Sequence, residues 1–162
     1  MNTIDFNIIT MLQKDADMPL SQLSRRVGIS KTALWNSLQR LEERGIVKGK
    51  MITLDRQALN LAVVVFLSIT VGQHSPAWVE EFQRVVADFP EIVEVHRLTG
   101  AGADYQLKIL CPTIEAYDAF QQSIISRIKF TSMSTRISLS EIKFTNQFPL
   151  AHLVSAPSSE AD

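Results

Sequence analysis

The chain has 162 residues, of which 46% are hydrophobic and 20% charged, proportions that are ordinary for a globular protein of one domain or two small ones. The single cysteine, Cys111, excludes an intrachain disulfide, and the run from Ala62 to Ile69 is far below the roughly 20 apolar residues that span a bilayer. The formal net charge is −1, but the charges are unevenly distributed along the chain. Residues 1 to 60 carry nine basic and six acidic residues, whereas residues 61 to 162 carry seven basic and eleven acidic residues. Only the N-terminal part therefore suits a polyanion.

Three helices are predicted in the first 45 residues, each with an apolar stripe at three- and four-residue spacing. The first runs from about Asp5 to Lys14. The stripes consist of Ile4, Ile8, Ile9, Met11 and Leu12 in the first helix, Leu20, Leu23 and Val27 in the second, and Leu34, Leu38 and Leu41 in the third. Between the second and third helices, Gly28 suits a helix end that needs a positive φ, and Ser30 suits the cap of the next helix. This pattern predicts a helix-turn-helix.

The outer side of the third helix is polar. With its leucines facing inward, the 100° step per residue turns four polar side chains to the opposite side, with Ala33 and Trp35 on its flanks. The four are Thr32, Asn36, Gln39 and Arg40. Residues 25 to 50 also carry seven basic against two acidic residues, a charge pattern that suits phosphates, although a solvated helix face is the alternative. The residues predicted to contact DNA are Arg25, Lys31, Thr32, Ala33, Trp35, Asn36, Gln39 and Arg40.

A change in composition at residues 55 to 61 predicts a linker after a DNA-binding domain over 1–54, in which residues 46–54 form an extended wing or linking strand. The pattern then predicts strand 62–71, helix 77–88, strand 92–98, strand 104–111, helix 113–127 and strand 134–143. Two interleaved β-α-β halves predict an α+β, ferredoxin-like βαββαβ domain over 62–150, with a flexible tail over 151–162, disordered from Ser155. Since neither face of its first strand is fully polar, a second protomer is expected to cover the open sheet face.

The sequence offers no catalytic machinery, metal site or cofactor site. The three histidines lack ligand spacing, and no basic residue adjoins Cys111 to activate its thiol, so an enzyme is not expected. The glycine loop from Leu98 to Tyr105 is a candidate ligand site, because its amides can approach a ligand closely and Asp104 can pair with an ammonium group. A plain hairpin turn that needs glycine is the alternative.

Taken together, these segments resemble the Lrp/AsnC (leucine-responsive, feast-or-famine) family of transcription regulators over nearly the whole chain. The resemblance rests on Ile4-Asp5, Ile9 and Leu12-Gln13-Lys14-Asp15, on Leu23-Ser24 and Val27-Gly28-Ile29-Ser30, on Arg40-Leu41-Glu42-Glu43-Arg44-Gly45-Ile46-Val47, and on Thr99-Gly100, Asp104-Tyr105, Tyr117-Asp118-Ala119-Phe120, Ile142-Lys143-Phe144-Thr145 and Pro149-Leu150. Each piece is weak alone, but their order and spacing are specific.

The resemblance implies a winged or plain helix-turn-helix that binds double-stranded DNA and a ferredoxin-like domain that dimerises through its sheet. It further implies assembly of homodimers into tetramers or octamers and an amino-acid effector at the contact between dimers. The effector-binding residues carried over by match are Thr99, Gly100, Gly102 and Asp104 in the glycine loop and Thr135, Ile137 and Ser138 on the last strand.

The chain departs from the family pattern at three places. Asn36-Ser37 occupies the middle of the third helix where basic residues are usual, the loop before Asp104 is one residue longer, and Ile128-Lys129-Phe130 replaces a proline-glycine-valine turn. The sequence thus predicts a cytoplasmic, sequence-specific transcription regulator that responds to an amino acid, since neither terminus resembles a secretory signal. An oligomeric small-molecule sensor whose helices dock protein rather than DNA is the alternative, and an enzyme is the third choice.

Overall fold

The computed structural model describes residues 1–153, which fold into two compact units. The helical unit consists of Met1–Thr53 together with the described residues from Lys143 onward, and the sheet unit consists of Leu54–Ile142. Residues 143–150, which the sequence analysis assigned to the second domain, therefore group with the helical unit. They are held there by the side-chain amide of Gln13, whose Oε1 accepts the Phe148 N–H at 2.6 Å and whose Nε2 donates to the Phe148 carbonyl at 3.5 Å.

The helical unit contains the three predicted helices, α1 (Thr3–Lys14), α2 (Leu20–Val27) and α3 (Lys31–Glu43). Their apolar stripes meet in one small core. Its buried members are Ile8, Met18, Leu23, Leu34 and Leu41, with Ile9, Met11, Leu12, Val27, Ile29, Leu38 and Val47 packed around them. Period and burial agree except at Ile4 and at Leu20, which lies in the first turn of α2 and is 43% exposed. The three helices are thus confirmed.

Two details of this unit differ from the prediction. α1 begins two residues before Asp5, because the Asn2 side chain accepts the Asp5 N–H and the Asp5 carboxylate accepts the Asn2 N–H in a reciprocal capping box. This earlier start leaves Ile4 at the helix N-terminus, where it is 37% exposed rather than buried. The predicted extended wing is also absent, since residues 46–54 contain no strand.

The sheet unit has the predicted ferredoxin-like α+β topology. Its elements are β1 (Val63–Thr70), α4 (Pro76–Ala87), β2 (Ile92–Arg97), β3 (Tyr105–Cys111), α5 (Ile114–Arg127) and β4 (Ser132–Ile137). The strands form one sheet in the order β2-β3-β1-β4, and β1 pairs antiparallel with both β3 and β4. The two central strands are thus β1 and β3, as two interleaved β-α-β halves require.

The core of the sheet unit lies between the sheet and its two helices. Side chains of alternate strand residues, among them Val65, Leu67 and Ile109, are fully buried against α4 and α5, where Phe82 and Phe120 fill the layer. Cys111 belongs to this core, and burial raises the pKa of its thiol. A raised thiol pKa keeps the sulfur protonated and unreactive, in agreement with a packing role.

The last strand, predicted over 134–143, starts earlier and ends at Ile137. β4 ends there because its partner strand β1 ends. Ile137 lies opposite Val65, and the Ser138 N–H donates to the Val64 carbonyl. Only one further residue of β1, Val63, remains beyond that bond. Leu139 and Ile142 are therefore 99% and 91% exposed in the single chain. Residues 151–153 form a short 3-10 turn, and the tail predicted to be disordered from Ser155 lies outside the described residues.

The face of the sheet away from the helices carries a mixture of apolar and polar side chains. Phe66 and Leu110 are partly exposed there, beside Glu94, whose Oε1 accepts a hydrogen bond from Lys108 Nζ at 2.8 Å. That hydrogen bond is the main cause of the lowered pKa of the Glu94 carboxyl. The face is thus neither a dry core surface nor a fully solvated one.

We expect the helical core to be sensitive to truncation at Leu23 but not at Leu20. Leu23 is fully buried and Leu20 is 43% exposed on the same helix, so Leu23→Ala should lose about 2–5 kcal/mol of unfolding free energy and Leu20→Ala under about 1 kcal/mol. Urea denaturation followed by Trp35 fluorescence in a Trp78→Phe background measures both. Equal losses would show that α2 does not pack through the Leu23 side.

Candidate DNA-binding face and effector loop

The turn between α2 and α3 fixes the direction of α3. Gly28 ends α2 with φ +80°, and its N–H and that of Ile29 both donate to the Ser24 carbonyl. The Ser30 hydroxyl accepts the Ala33 N–H at 3.1 Å and so caps α3. Both predicted turn residues therefore have the local roles that the sequence indicated.

One side of α3 is buried and the other faces solvent. Leu34, Ser37 and Leu41 are the buried positions. Trp35 is 52% exposed. All eight side chains predicted to contact DNA lie at exposed positions, namely Arg25, Lys31, Thr32, Ala33, Trp35, Asn36, Gln39 and Arg40. The structure thus gathers seven of them on α3 and leaves Arg25 on α2.

Two of the predicted arginines have partners within the helical unit. Arg25 Nε donates to the Ser21 carbonyl at 3.2 Å, one helical turn earlier. Arg40 Nη2 lies 2.7 Å from Oδ1 of Asp5, although the Arg40 side chain remains 46% exposed and that of Asp5 only 3%. The pair joins α3 to α1. No short-range pattern signals it, because the two residues are 35 positions apart.

The glycine loop connects β2 to β3 and is folded against the end of β1. The Asp104 N–H donates to the Ile69 carbonyl, and its Oδ2 accepts the Val71 N–H at 2.6 Å. Its other carboxylate oxygen lies 3.8 Å from Nε2 of His74. Asp104 therefore already closes the loop, a role that the sequence analysis did not include. These bonds within the chain fit a plain hairpin turn, while the exposed glycines of the same loop still fit a ligand site.

Thr99, Gly100 and Gly102 are exposed in this loop, and both glycines have positive φ, +118° and +114°. No atom lies within 4 Å of where a Cβ would stand at either glycine. Their backbone is thus open to solvent.

The residues expected from β4 lie in different surroundings. The Thr135 hydroxyl is 2.7 Å from the Tyr117 hydroxyl, on the helix-covered side of the sheet. Burial is the main cause of the raised pKa of the Tyr117 phenol, so the phenol stays protonated and can donate this bond. Ile137 is 47% exposed, and the Ser138 hydroxyl donates to the Ser140 carbonyl at 3.2 Å.

Within one chain these seven residues do not form a single cluster. The loop is bonded to β1 at Ile69, whereas Ser138 is bonded to it at Val64, five residues away. Five residues of strand correspond to about 17 Å. Thr135, opposite Leu67, lies between the two ends. His74 and Tyr117, which contact Asp104 and Thr135, were missed because each comes from an element distant in sequence.

Residues 1–153 contain neither a membrane-spanning helix nor a cluster of metal-binding side chains. No helix in this part of the chain has the length and apolar character needed to cross a membrane. The same residues contain no group of three histidine, cysteine or carboxylate side chains that could hold a metal ion.

Comparison with known families and proteins gives matches over almost the whole chain. Residues 1–48 match the family described as "Winged helix-turn-helix DNA-binding", and residues 64–148 match "Lrp/AsnC ligand binding domain". The chain belongs to the Lrp/AsnC family. It is accordingly a DNA-binding transcription regulator with a ligand-binding domain, and not an enzyme. This membership confirms the resemblance seen in the sequence.

Individual Lrp/AsnC proteins match with similar coverage. The HTH-type transcriptional regulator Zrp of Zymomonas mobilis is 38% identical, over 92% of this chain and 97% of its own. The crystal structure of an AsnC family transcriptional regulator from Agrobacterium tumefaciens superposes with a TM-score of 0.88 at 36% identity, over 94% of this chain and 99% of that one. A Neisseria meningitidis transcriptional regulator in complex with L-Met has a TM-score of 0.87 at 27% identity, over the same shares.

We expect Gly28 to tolerate asparagine better than alanine. No atom obstructs a Cβ there, so the cost of substitution comes from the left-handed backbone. Gly28→Ala should lose about 1–2 kcal/mol of unfolding free energy, whereas Gly28→Asn should lose less, because asparagine visits this conformation more readily. Urea denaturation followed by Trp35 fluorescence, again in the Trp78→Phe background, compares the two variants. A neutral Gly28→Ala would show that the left-handed turn is not required.

Proposed function

We propose that this Lrp/AsnC protein is an amino-acid-responsive regulator whose DNA affinity or assembly changes when the amino acid binds. The observation that carries the DNA half of this proposal is the exposed polar face of α3, which is held outward by the buried Leu34 and Leu41 on its other side. Its site of action is the cytoplasm, where the target DNA lies. The two functional regions are a DNA-binding domain over 1–54 and an effector and assembly domain from residue 62.

On this proposal, α3 enters the major groove and its exposed side chains read base edges. Asn36 and Gln39 carry amides that can bond adenine through two hydrogen bonds, and Arg40 suits guanine or phosphate. Lys31 and Arg25 at the edge of this face bind phosphates, with Thr32, Ala33 and Trp35 completing the contact surface. Since Asn36-Ser37 brings no charge to the middle of α3, these edge residues supply the phosphate contacts.

The proposed assembly is a homodimer that associates further into tetramers or octamers. The open face of the sheet, with Phe66 and Leu110 partly exposed, suits a second copy. A two-fold dimer would present two α3 helices to successive major grooves about 34 Å apart, so a pseudo-palindromic target is expected.

The proposed effector is an amino acid, as in the Neisseria relative in complex with L-Met. The loop amides around Gly100 and Gly102 suit a carboxylate, and the Asp104 carboxylate suits an ammonium group. Because the loop and Ser138 are separated along β1 in one chain, a site that uses both needs a second protomer. This separation supports an effector site between copies, with Thr99, Thr135 and Ile137 among its residues.

We expect Asn36 and Lys31 to act differently on DNA. Asn36→Ala should lower affinity for a selected duplex roughly 5- to 100-fold while leaving scrambled duplex unchanged, because it removes base contacts. Lys31→Ala should weaken binding to both duplexes alike and reduce the slope of log affinity against log salt concentration by about 1. Fluorescence anisotropy titrations at several salt concentrations measure both effects.

Lys129→Ala removes the same charge from the sheet unit and serves as the control for Lys31→Ala. If the Asn36 and Lys31 variants changed affinity for the two duplexes in the same way, the assignment of roles on α3 would be wrong. Tight protein binding with no salt-dependent DNA binding would instead favour a sensor that docks protein.

We expect at least one of the 20 amino acids to raise the melting temperature, since a ligand that binds the native state stabilises it. Asp104→Asn should keep the acceptor for the Val71 N–H but lose the ammonium partner, so the shift should shrink. Asp118→Asn, the same substitution at an exposed position on α5, is the control. Differential scanning fluorimetry measures all three proteins. A flat response of the unsubstituted protein to every amino acid would remove the effector proposal and leave DNA binding intact.

A further inference from the structure

Asp5 is a charged side chain buried in the helical unit, and the functions described so far do not use it. It is 2% exposed and lies in the first turn of α1. Its Oδ2 accepts the Asn2 N–H at 3.3 Å, and its Oδ1 accepts Arg40 Nη2 at 2.7 Å. A buried carboxylate is costly unless it is paired and hydrogen-bonded, so each oxygen needs the partner it has.

The capping role accounts for one oxygen only. The Asn2 side chain caps the Asp5 N–H, and Oδ2 of Asp5 returns a bond to the Asn2 N–H. A neutral side chain such as asparagine could accept that second bond equally well. The charge of Asp5 and its Oδ1 oxygen are therefore directed at Arg40, on α3.

Arg40 stands between this buried carboxylate and solvent. Its side chain is 46% exposed and follows Gln39, which lies on the outer face of α3. An arginine has five N–H donors in a planar fork, and the contact with Asp5 uses Nη2 alone. The other donors remain available while the plane of the guanidinium is fixed from behind.

We propose that Asp5 is a positioning residue for DNA recognition: it orients the Arg40 guanidinium toward the groove and offsets its charge. An exposed arginine without a partner samples many rotamers and binds any phosphate in reach. A held arginine whose charge is balanced by Asp5 contributes geometry rather than net charge. Asp5 therefore raises discrimination between sequences at the expense of general affinity for DNA.

The inference rests on DNA binding by α3 and gives it a distinct signature. In Asp5→Asn, the freed Arg40 becomes a mobile cation, so affinity for scrambled duplex should stay level or rise, and the salt slope should steepen by about 1. Affinity for the selected duplex should not rise with it. The ratio of the affinity for the selected duplex to the affinity for the scrambled duplex should therefore fall roughly 5- to 100-fold.

The test uses the full chain, a duplex recovered by selection from a random library with the unsubstituted protein, and a scrambled version of that duplex. Asp15→Asn is the charge-matched control, because Asp15 is exposed in the same unit and an asparagine there can still accept the Asp17 N–H. Its ratio should not change. Arg40→Lys keeps the charge but not the planar fork, so it should lower the ratio while general affinity is kept. Circular dichroism establishes that each variant is folded.

A cycle with Arg40→Ala completes the test. Once Arg40 is absent, adding Asp5→Asn should leave the ratio unchanged. If Asp5 served only the fold, affinity for both duplexes would fall in parallel with the folded fraction and the salt slope would not steepen, which overturns the inference. Failure of the unsubstituted protein to select any duplex would overturn the proposed DNA function and this inference with it.

Discussion

The helical unit depends on the burial of one side of α3. Leu34 and Leu41 are fully buried with Ile8 of α1 and Leu23 of α2. Because one residue corresponds to 100° around a helix, a rotation of α3 by one position would bury a polar or bulky exposed side chain and expose a leucine. The hydrophobic core thus fixes which side chains face outward. The candidate DNA-binding face is therefore set by the packing of Leu34 and Leu41, independently of any contact with DNA.

The Asp5–Arg40 pair is a feature of the helical unit that hydrophobic packing does not explain. Buried ion pairs are weak sources of stability, and apolar residues of similar volume often replace them without loss. The pair links the buried Asp5 of α1 to the half-exposed Arg40 of α3, which is one of the candidate DNA-binding residues.

The residues with local or periodic signals were predictable from the sequence. The 3.6-residue stripes gave three helices, Gly28 and Ser30 gave the turn, and the alternating strand patterns gave the four strands of the sheet. The end of β4 was not predictable, because it is set by the length of β1 rather than by its own residues. The absent wing is a similar case, since extended propensity over 46–54 finds no partner strand.

The contacts that complete the candidate sites could not be predicted from the sequence, because each joins residues far apart in the chain. Arg40 and Asp5 are 35 positions apart in the sequence, and Gln13 and Phe148 are 135 positions apart. Asp104 likewise bonds the Val71 N–H from 33 positions away. Spacing rules describe one helix or one strand, whereas these bonds depend on how separate elements pack. The type of residue was evident in each case, but its partner was not.

The position of Phe148 bears on how the chain is divided between the two units. The helical unit includes the segment after Ile142 as well as Met1–Thr53, so the chain passes between the units twice. The second connection leaves β4 directly, so the strand that carries Thr135 and Ile137 continues into a segment that Gln13 binds to α1. The assignment of the residues after Ile142 to the helical unit thus depends on a bond between residues 135 positions apart, which no periodic pattern in either segment could have indicated.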